Sequence, residues 1–485
     1  MSNGGPASVL IAYSLIGGML FCTVQALGEL AVIFPVAGSF SAYSTRFLDP
    51  AWGFAMGWNY AMQWLIVLPL EVVAAAITVE YWNVSISPAA WVAIFLTIII
   101  SINLFGVRAY GEAEFVFSLV KVIAVIGFII LGIILDIGGG PSGQYVGGKY
   151  WHDPGAFNNG FKGLCSVFAT AAFAFAGTEL VGLAAAETAN PRKSLPTAVK
   201  QVFWRIALFY IVSLTLVGLL VPYNDGRLIG SSSSDAKASP FVIAIENAGI
   251  RGLDSVMNVV IMISVISVGN SSVYGSSRTL AALADQSQAP QIFAYIDREG
   301  RPLVAILFAS TMGLIAFLAA SAAEEKVFIW LQALSGLSSI FTWGSICFSH
   351  IRFRRAWKLQ GHTLDELAFR SQAGVFGSWI GFIFNILVLI AQFWVGIAPV
   401  PASDGTRITG AVPLIQNFFE LYLAVPVVLL FYIPYKLYHK TPFMRAADMD
   451  LKTGRRELNL RELLAEEDLE KATWPRWKKA YKLVC

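Results

Sequence analysis

The sequence predicts an all-α polytopic membrane protein, and three observations carry that expectation. Of its 485 residues, 56% are hydrophobic and only 13% are charged, where a soluble domain carries roughly 25% charged residues. Apolar runs recur along the whole chain, each near the ~20 residues a helix needs to cross the hydrocarbon core. Lysine and arginine alternate between rich and poor loops, as in a chain threaded repeatedly through a bilayer. A large soluble domain with buried helices would need far more charge to stay dissolved.

In order, the expected spans are residues 7–34, 52–81, 87–105, 115–137, 161–186, 202–222, 253–280, 303–321, 327–350, 375–398 and 414–435, which makes eleven. Turn chemistry separates them: Pro35-Val36-Ala37-Gly38 closes the first, Gly138-Gly139-Gly140-Pro141 the fourth, and Gly230 to Ser234 follows the sixth. The basic loops hold Arg46, Arg108, then Arg192, Lys193 and Lys200, then Arg298 and Arg301, and a cluster from Arg352 to Arg370. The opposite loops hold only scattered cations such as Lys149, Arg227 and Arg251. The basic side is therefore cytoplasmic. Residues 1–437 form the membrane domain, and 438–485 a polar cytoplasmic tail with an amphipathic segment around Leu458 to Leu469. Eleven spans with the C-terminus inside place Met1 outside.

Several classes are excluded by residue type and spacing. A net charge of +3 on a chain this long indicates no nucleic-acid partner. The cysteines Cys22, Cys165, Cys347 and Cys485 show no paired spacing, and the first three lie in apolar runs as packing residues. The four histidines are scattered without ligand-type spacing. The stretch GQYVGGKY, Gly143 to Tyr150, approaches a phosphate-binding loop, but Tyr150 stands where Ser or Thr is required and no helical pattern follows. No catalytic, metal or cofactor motif is present, so the chain is not expected to be an enzyme. Asn83-Val84-Ser85 fits a glycosylation acceptor but hugs the membrane, so it is expected to stay unmodified.

The fifth span contains a defect. In AFAFAGTELVGLAAAETANPRKSLP, Ala172 to Pro196, the triplet Gly177-Thr178-Glu179 lies well inside an apolar run long enough to cross as one helix. One reading is close helix packing, served by glycine and by the small residues around Ala174 and Ala176, with Glu179 a buried and paired acid. The stronger reading is a discontinuous helix. Non-helical backbone survives at membrane depth only where protein or a watery cavity satisfies it. The carbonyls freed at the end of the first half-helix suit an ammonium group. Phe173 and Phe175 would supply an aromatic face, and Glu179 is a functional candidate as an intramembrane carboxylate.

Two further charges fall inside spans. Lys121, in EFVFSLVKVIAVIGFIILG, either snorkels to the interface or, partly buried, loads and releases a proton. Glu71, in VLPLEVVAAA behind Pro69, either lines a substrate route or pairs with a buried polar group, the latter slightly favoured, and with Lys121 and Glu179 it is a proton-coupling candidate. Glu29 in GELAVIFP lies near the cytoplasmic end, where a structural anchor is expected.

The stretch Gly4 to Pro50, beginning GGPASVLIAYSLIGG, resembles the opening of fungal plasma-membrane amino acid permeases. So do FAFAGTELVGLAAAETANPRKSLPTAV, YGSSRTLAALADQSQAPQIF, FTWGSICFSHIRFRRA and the tail segment PFMRAADMDLKTGRREL. These permeases belong to the amino acid–polyamine–organocation superfamily, and the resemblance covers nearly the whole chain. It implies a leucine-transporter-type inverted-repeat fold that carries amino acids inward with protons by alternating access, with membrane lipids around it. It also implies that Phe173, Ala174, Phe175, Ala176, Gly177, Thr178 and Glu179 form the broken sixth helix that holds the substrate ammonium. Lys121 matches the lysine that takes the place of a sodium ion in related transporters.

The same resemblance makes the span count one short. Only four spans precede the broken helix where the repeat calls for five, and no second broken helix appears in the first half. The chain is therefore expected to lack the family's first helix and to transport poorly, through a misplaced gene start or, with less support, a true truncation. A transport-inactive amino acid receptor or scaffold of the same fold is the alternative, and accumulation of labelled amino acid separates the two.

Overall fold

A computed structural model describes residues 1–82, 85–141, 143–184, 191–228, 239–320, 324–401, 408–455 and 474–475. Sixteen α-helices run through the described residues. The first five are α1 (Gly5–Ile33), α2 (Phe40–Phe47), α3 (Pro50–Glu80), α4 (Pro88–Leu104) and α5 (Val107–Asp136). Then come α6 (Gly160–Phe175), α7 (Leu180–Ala184), α8 (Pro191–Trp204), α9 (Ser213–Leu220), α10 (Pro240–Asn247) and α11 (Leu253–Asp285). The last are α12 (Leu303–Gly313), α13 (Glu324–Leu359), α14 (Gly374–Ile397), α15 (Ala411–Tyr422) and α16 (Ala424–His439). Among the described residues, seven helical stretches are long and apolar enough to cross a membrane, one of them joining α6 to α7 and one joining α8 to α9; α15 and α16 make a bent pair, and α4 and α12 are shorter apolar helices.

The differences from the expected spans have local causes. The fourth expected span, α5, starts at Val107 rather than 115, because Gly106 at φ +94° breaks the chain there and the polar residues that follow are helical. Arg108 and Glu112 pair one turn apart at 3.0 Å in its exposed first turns. The run 202–222 starts earlier, at Pro191, and widens into a π-helical stretch over Arg205–Val212. The helix expected at 327–350 continues to Leu359, since its arginines find partners on neighbouring segments. The run 414–435 is two helices bent by 67°. The run 161–186 is broken between Phe175 and Leu180. Asn83, the Gly230–Ser234 turn and the Leu458–Leu469 segment lie outside the described residues.

Helix α3 is the axis of the bundle. It packs along α11, α13 and α16, and 83% of its most apolar stretch is buried against 17% for α5 at the periphery. Asp49 starts it, accepting the Ala51 N–H at 2.9 Å ahead of Pro50. The outer faces of α5 and α14 carry exposed Ile123, Ile130, Phe376 and Ile390, an apolar surface of the kind that a membrane or a protein partner covers. Residues 441–455 dock on the basic end: the Met444 N–H reaches the Leu48 carbonyl at 2.8 Å, and Met449 and Leu451 are buried.

Glu29 ties three elements together at that end. Its carboxylate meets His350 Nε2 at 3.0 Å, the Arg354 guanidinium, and the Ser371 N–H at 2.8 Å, while His350 Nδ1 lies 2.8 Å from Ser378 Oγ. Glu29 and His350 are wholly buried. Removing one partner of such a cluster typically costs about 3–5 kcal/mol. Glu29→Ala is expected to lower the melting temperature in detergent markedly, and an unchanged melting curve would deny the residue its anchoring role.

Candidate functional site

The helical hydrogen-bond ladder of α6 stops at Phe175 because the next two residues leave helical geometry. Ala176 is extended at φ −55° and ψ 147°, and Gly177 sits at φ +90°, where a residue with a Cβ is strained. A Cβ on Gly177 would also approach Trp64 Cη2 to 3.2 Å. Thr178 turns its hydroxyl back to the Phe175 carbonyl at 2.8 Å, and the Leu180 N–H bonds to the Gly177 carbonyl at 3.1 Å as α7 begins.

Glu179 fastens this turn to the rest of the bundle. Oε1 accepts the Gly177 N–H and the Tyr60 hydroxyl, each at 3.1 Å, and Oε2 accepts the Trp343 indole N–H at 3.1 Å. Three donors from α3, α13 and the break itself converge on one fully buried side chain, and a carboxylate is an acceptor on both oxygens.

Ala176 and Gly177 open onto a cavity of about 570 Å³ between α3, α5, α11 and the α8 end. It holds Lys121 and Glu114 of α5, Arg205 at the start of the π-helical stretch, and Trp64, Tyr210 and Ser271. Lys121 Nζ donates to Ser267 Oγ at 2.7 Å. Ser267 Oγ lies 2.7 Å from Glu114 Oε2, and Asn270 donates its amide to Glu114 Oε1 at 2.9 Å. Lys121 also feels the charges of Arg205 and Glu71.

The expected site residues divide into four groups. Ala176, Gly177 and Lys121 line the cavity. Phe175 is buried against Tyr210 and Tyr13 at ring separations of 4.3 and 5.7 Å, Phe173 packs on the same core, and the Ala174 carbonyl accepts the Tyr210 hydroxyl at 2.8 Å. Thr178 and Glu179 hold the break from behind without lining the cavity. Glu71 is buried in α3 against Gly269 of α11, also outside the cavity lining.

Two charged members were not singled out by sequence reasoning. Glu114 fell one residue before the expected span, although its spacing of seven from Lys121 puts both on one helical face. Arg205 lay inside a predicted span, where an intramembrane cation is itself a signal.

A bundle of membrane-crossing helices, one of them unwound beside a charged cavity, is the build of a membrane transporter. The chain belongs to the amino acid permease family, whose family model matches residues 1–447. It is similar to a general amino-acid permease of Candida albicans, 61% identical over 100% of this chain and 82% of that protein. It is also similar to a general amino-acid permease of Saccharomyces cerevisiae, 56% identical over 100% of this chain and 81% of the relative. The histidine permease of the same yeast is 50% identical over 98% of this chain and 78% of its own length. Its work is amino acid transport across a membrane rather than enzymatic catalysis, and its fold is that of the amino acid–polyamine–organocation transporters.

Proposed function

We propose that this permease imports amino acids together with protons across the plasma membrane, by alternating access to one site near the bilayer midplane, with its C-terminus in the cytoplasm. The observation that supports it best is a shared space: the unwound Ala176–Gly177 segment and Lys121 line one cavity. The carbonyl end of α6 is a negative pole for the substrate ammonium. Arg205 in the same cavity offers a cation to the substrate carboxylate. A zwitterion matches that pairing of signs, and the general permeases among the relatives favour a broad range of side chains.

Labelled amino acid uptake with and without an inward proton gradient tests the function: accumulation that collapses with the gradient is expected, and binding without accumulation would favour a receptor. Within that assay, Lys121→Ala should lose the dependence on the gradient, because the group that takes up the proton is gone. Gradient-driven accumulation unchanged in this variant would return Lys121 to a purely interfacial role.

A further inference from the structure

Beyond Lys121 and Arg205, the cavity holds a third charged group, an acid to which the substrate reading assigns no role. Glu114 lies on the same face of α5, seven residues and about 10 Å along the axis from Lys121, on the side of the basic loops. A single hydroxyl joins them: Lys121 Nζ donates to Ser267 Oγ at 2.7 Å, and the same oxygen stands 2.7 Å from Glu114 Oε2. The other Glu114 oxygen is held by Asn270, whose own amide oxygen is held by Asn103 of α4 at 2.7 Å. Glu114 is thus fixed by α4 and α11, elements separate from the broken helix. Past it, Tyr110 bonds to Ser271 at 3.3 Å and feels the charges of Glu114 and Arg278. A small cleft lined by Asn103, Gly106, Tyr110, Tyr274 and Arg278 continues in the same direction.

We propose that Glu114 is a second proton-binding site, which receives the coupled proton from Lys121 through the Ser267 hydroxyl on its way to the basic end. This rests on the proton-symport reading and extends it. In the transfer, one N–H bond of the Lys121 ammonium breaks as Ser267 Oγ takes that proton. The Ser267 O–H bond breaks in turn as Glu114 Oε2 takes its proton. Ammonium and carboxylate become amine and carboxylic acid, and the serine is restored. The net charge of the pair is the same before and after, so the step moves no uncompensated charge into the membrane interior. The charged groups facing the relay are Glu71 from α3, Arg205 from the α8 end, and Arg278 from α11.

The test is the ratio of protons to substrate in proteoliposomes, with a trapped pH dye for proton entry and labelled amino acid for substrate entry. Glu114→Gln is expected to lower the ratio at least tenfold, Ser267→Ala to lower it in the same direction by removing the bridge, and Glu114→Asp to restore part of it. A parental ratio retained in Glu114→Gln or in a folded Ser267→Ala protein overturns the proposal. A folded Glu114→Gln protein that exchanges no substrate at all also overturns it, by making Glu114 a substrate contact. If Glu114→Gln does not fold, Ser267→Ala decides alone. Absence of substrate-linked proton entry in the parent would refute proton symport itself. Parental coupling lost in Lys121→Ala but kept in Glu114→Gln refutes only the relay.

Discussion

A Gly177→Leu variant should take up labelled amino acid about a hundredfold more slowly than the parent, or not at all, which corresponds to roughly 2.7 kcal/mol of lost transition-state stability. Two costs combine at this position. Gly177 sits at φ +90°, and a side chain forced into such a conformation costs of order 1–3 kcal/mol. Its Cβ would also stand 3.2 Å from Trp64, and both residues line the cavity, so relief of the contact deforms the site itself. Surface labelling and a melting curve should show a folded protein at the membrane, because the packing of α3 against α11 and α13 does not run through this one residue. Parental uptake kinetics in a folded Gly177→Leu protein would sink the assignment of the break as the binding site.

Glu179→Gln is the second large effect, and it tests positioning rather than substrate contact. One oxygen of Glu179 accepts two donors and the other accepts the Trp343 N–H. Whichever way the glutamine amide sits, its NH₂ faces either the Gly177 N–H or the Trp343 N–H, donor against donor. A buried donor left unmatched costs about 1–3 kcal/mol, and the loss falls on the segment that shapes the break. Uptake should drop at least tenfold while the protein still inserts and melts cooperatively. Tyr60→Phe, which removes one of the three donors and leaves the other two, should do less harm. Equal activity of Glu179→Gln and parent would show that the carboxylate does not hold the turn.

The legible parts of the site were those with local causes. Gly177 announced itself because a glycine and an acid inside an apolar run contradict an unbroken helix whatever surrounds them. Lys121 did so because a cation in hydrocarbon is costly anywhere. The direction of each side chain was not local. Glu179 reads as a cavity carboxylate from its position in the run, yet its partners Tyr60 and Trp343 are 119 and 164 residues away in sequence, and they turn it into the protein. Glu114 was cut off by a boundary drawn at the last charged residue before the apolar run, because the charged opening turns of a helix and a charged loop look alike in hydropathy.

The sequence by itself determined the solvent, the order of the helices and the place where one of them breaks. These depend on transfer free energies and backbone preferences that each short stretch carries with it. The tertiary structure alone decided which charges share a space. Lys121 meets Ser267 across 146 residues and Glu114 meets Asn270 across 156, and such distances in sequence carry no local signal. Only the packing of α5 against α11 and of α3 against α13 puts one charged pair beside the cavity and the other acid behind the break. Helix packing fixes which face of each helix is inward, and that rotation is set by the whole bundle at once.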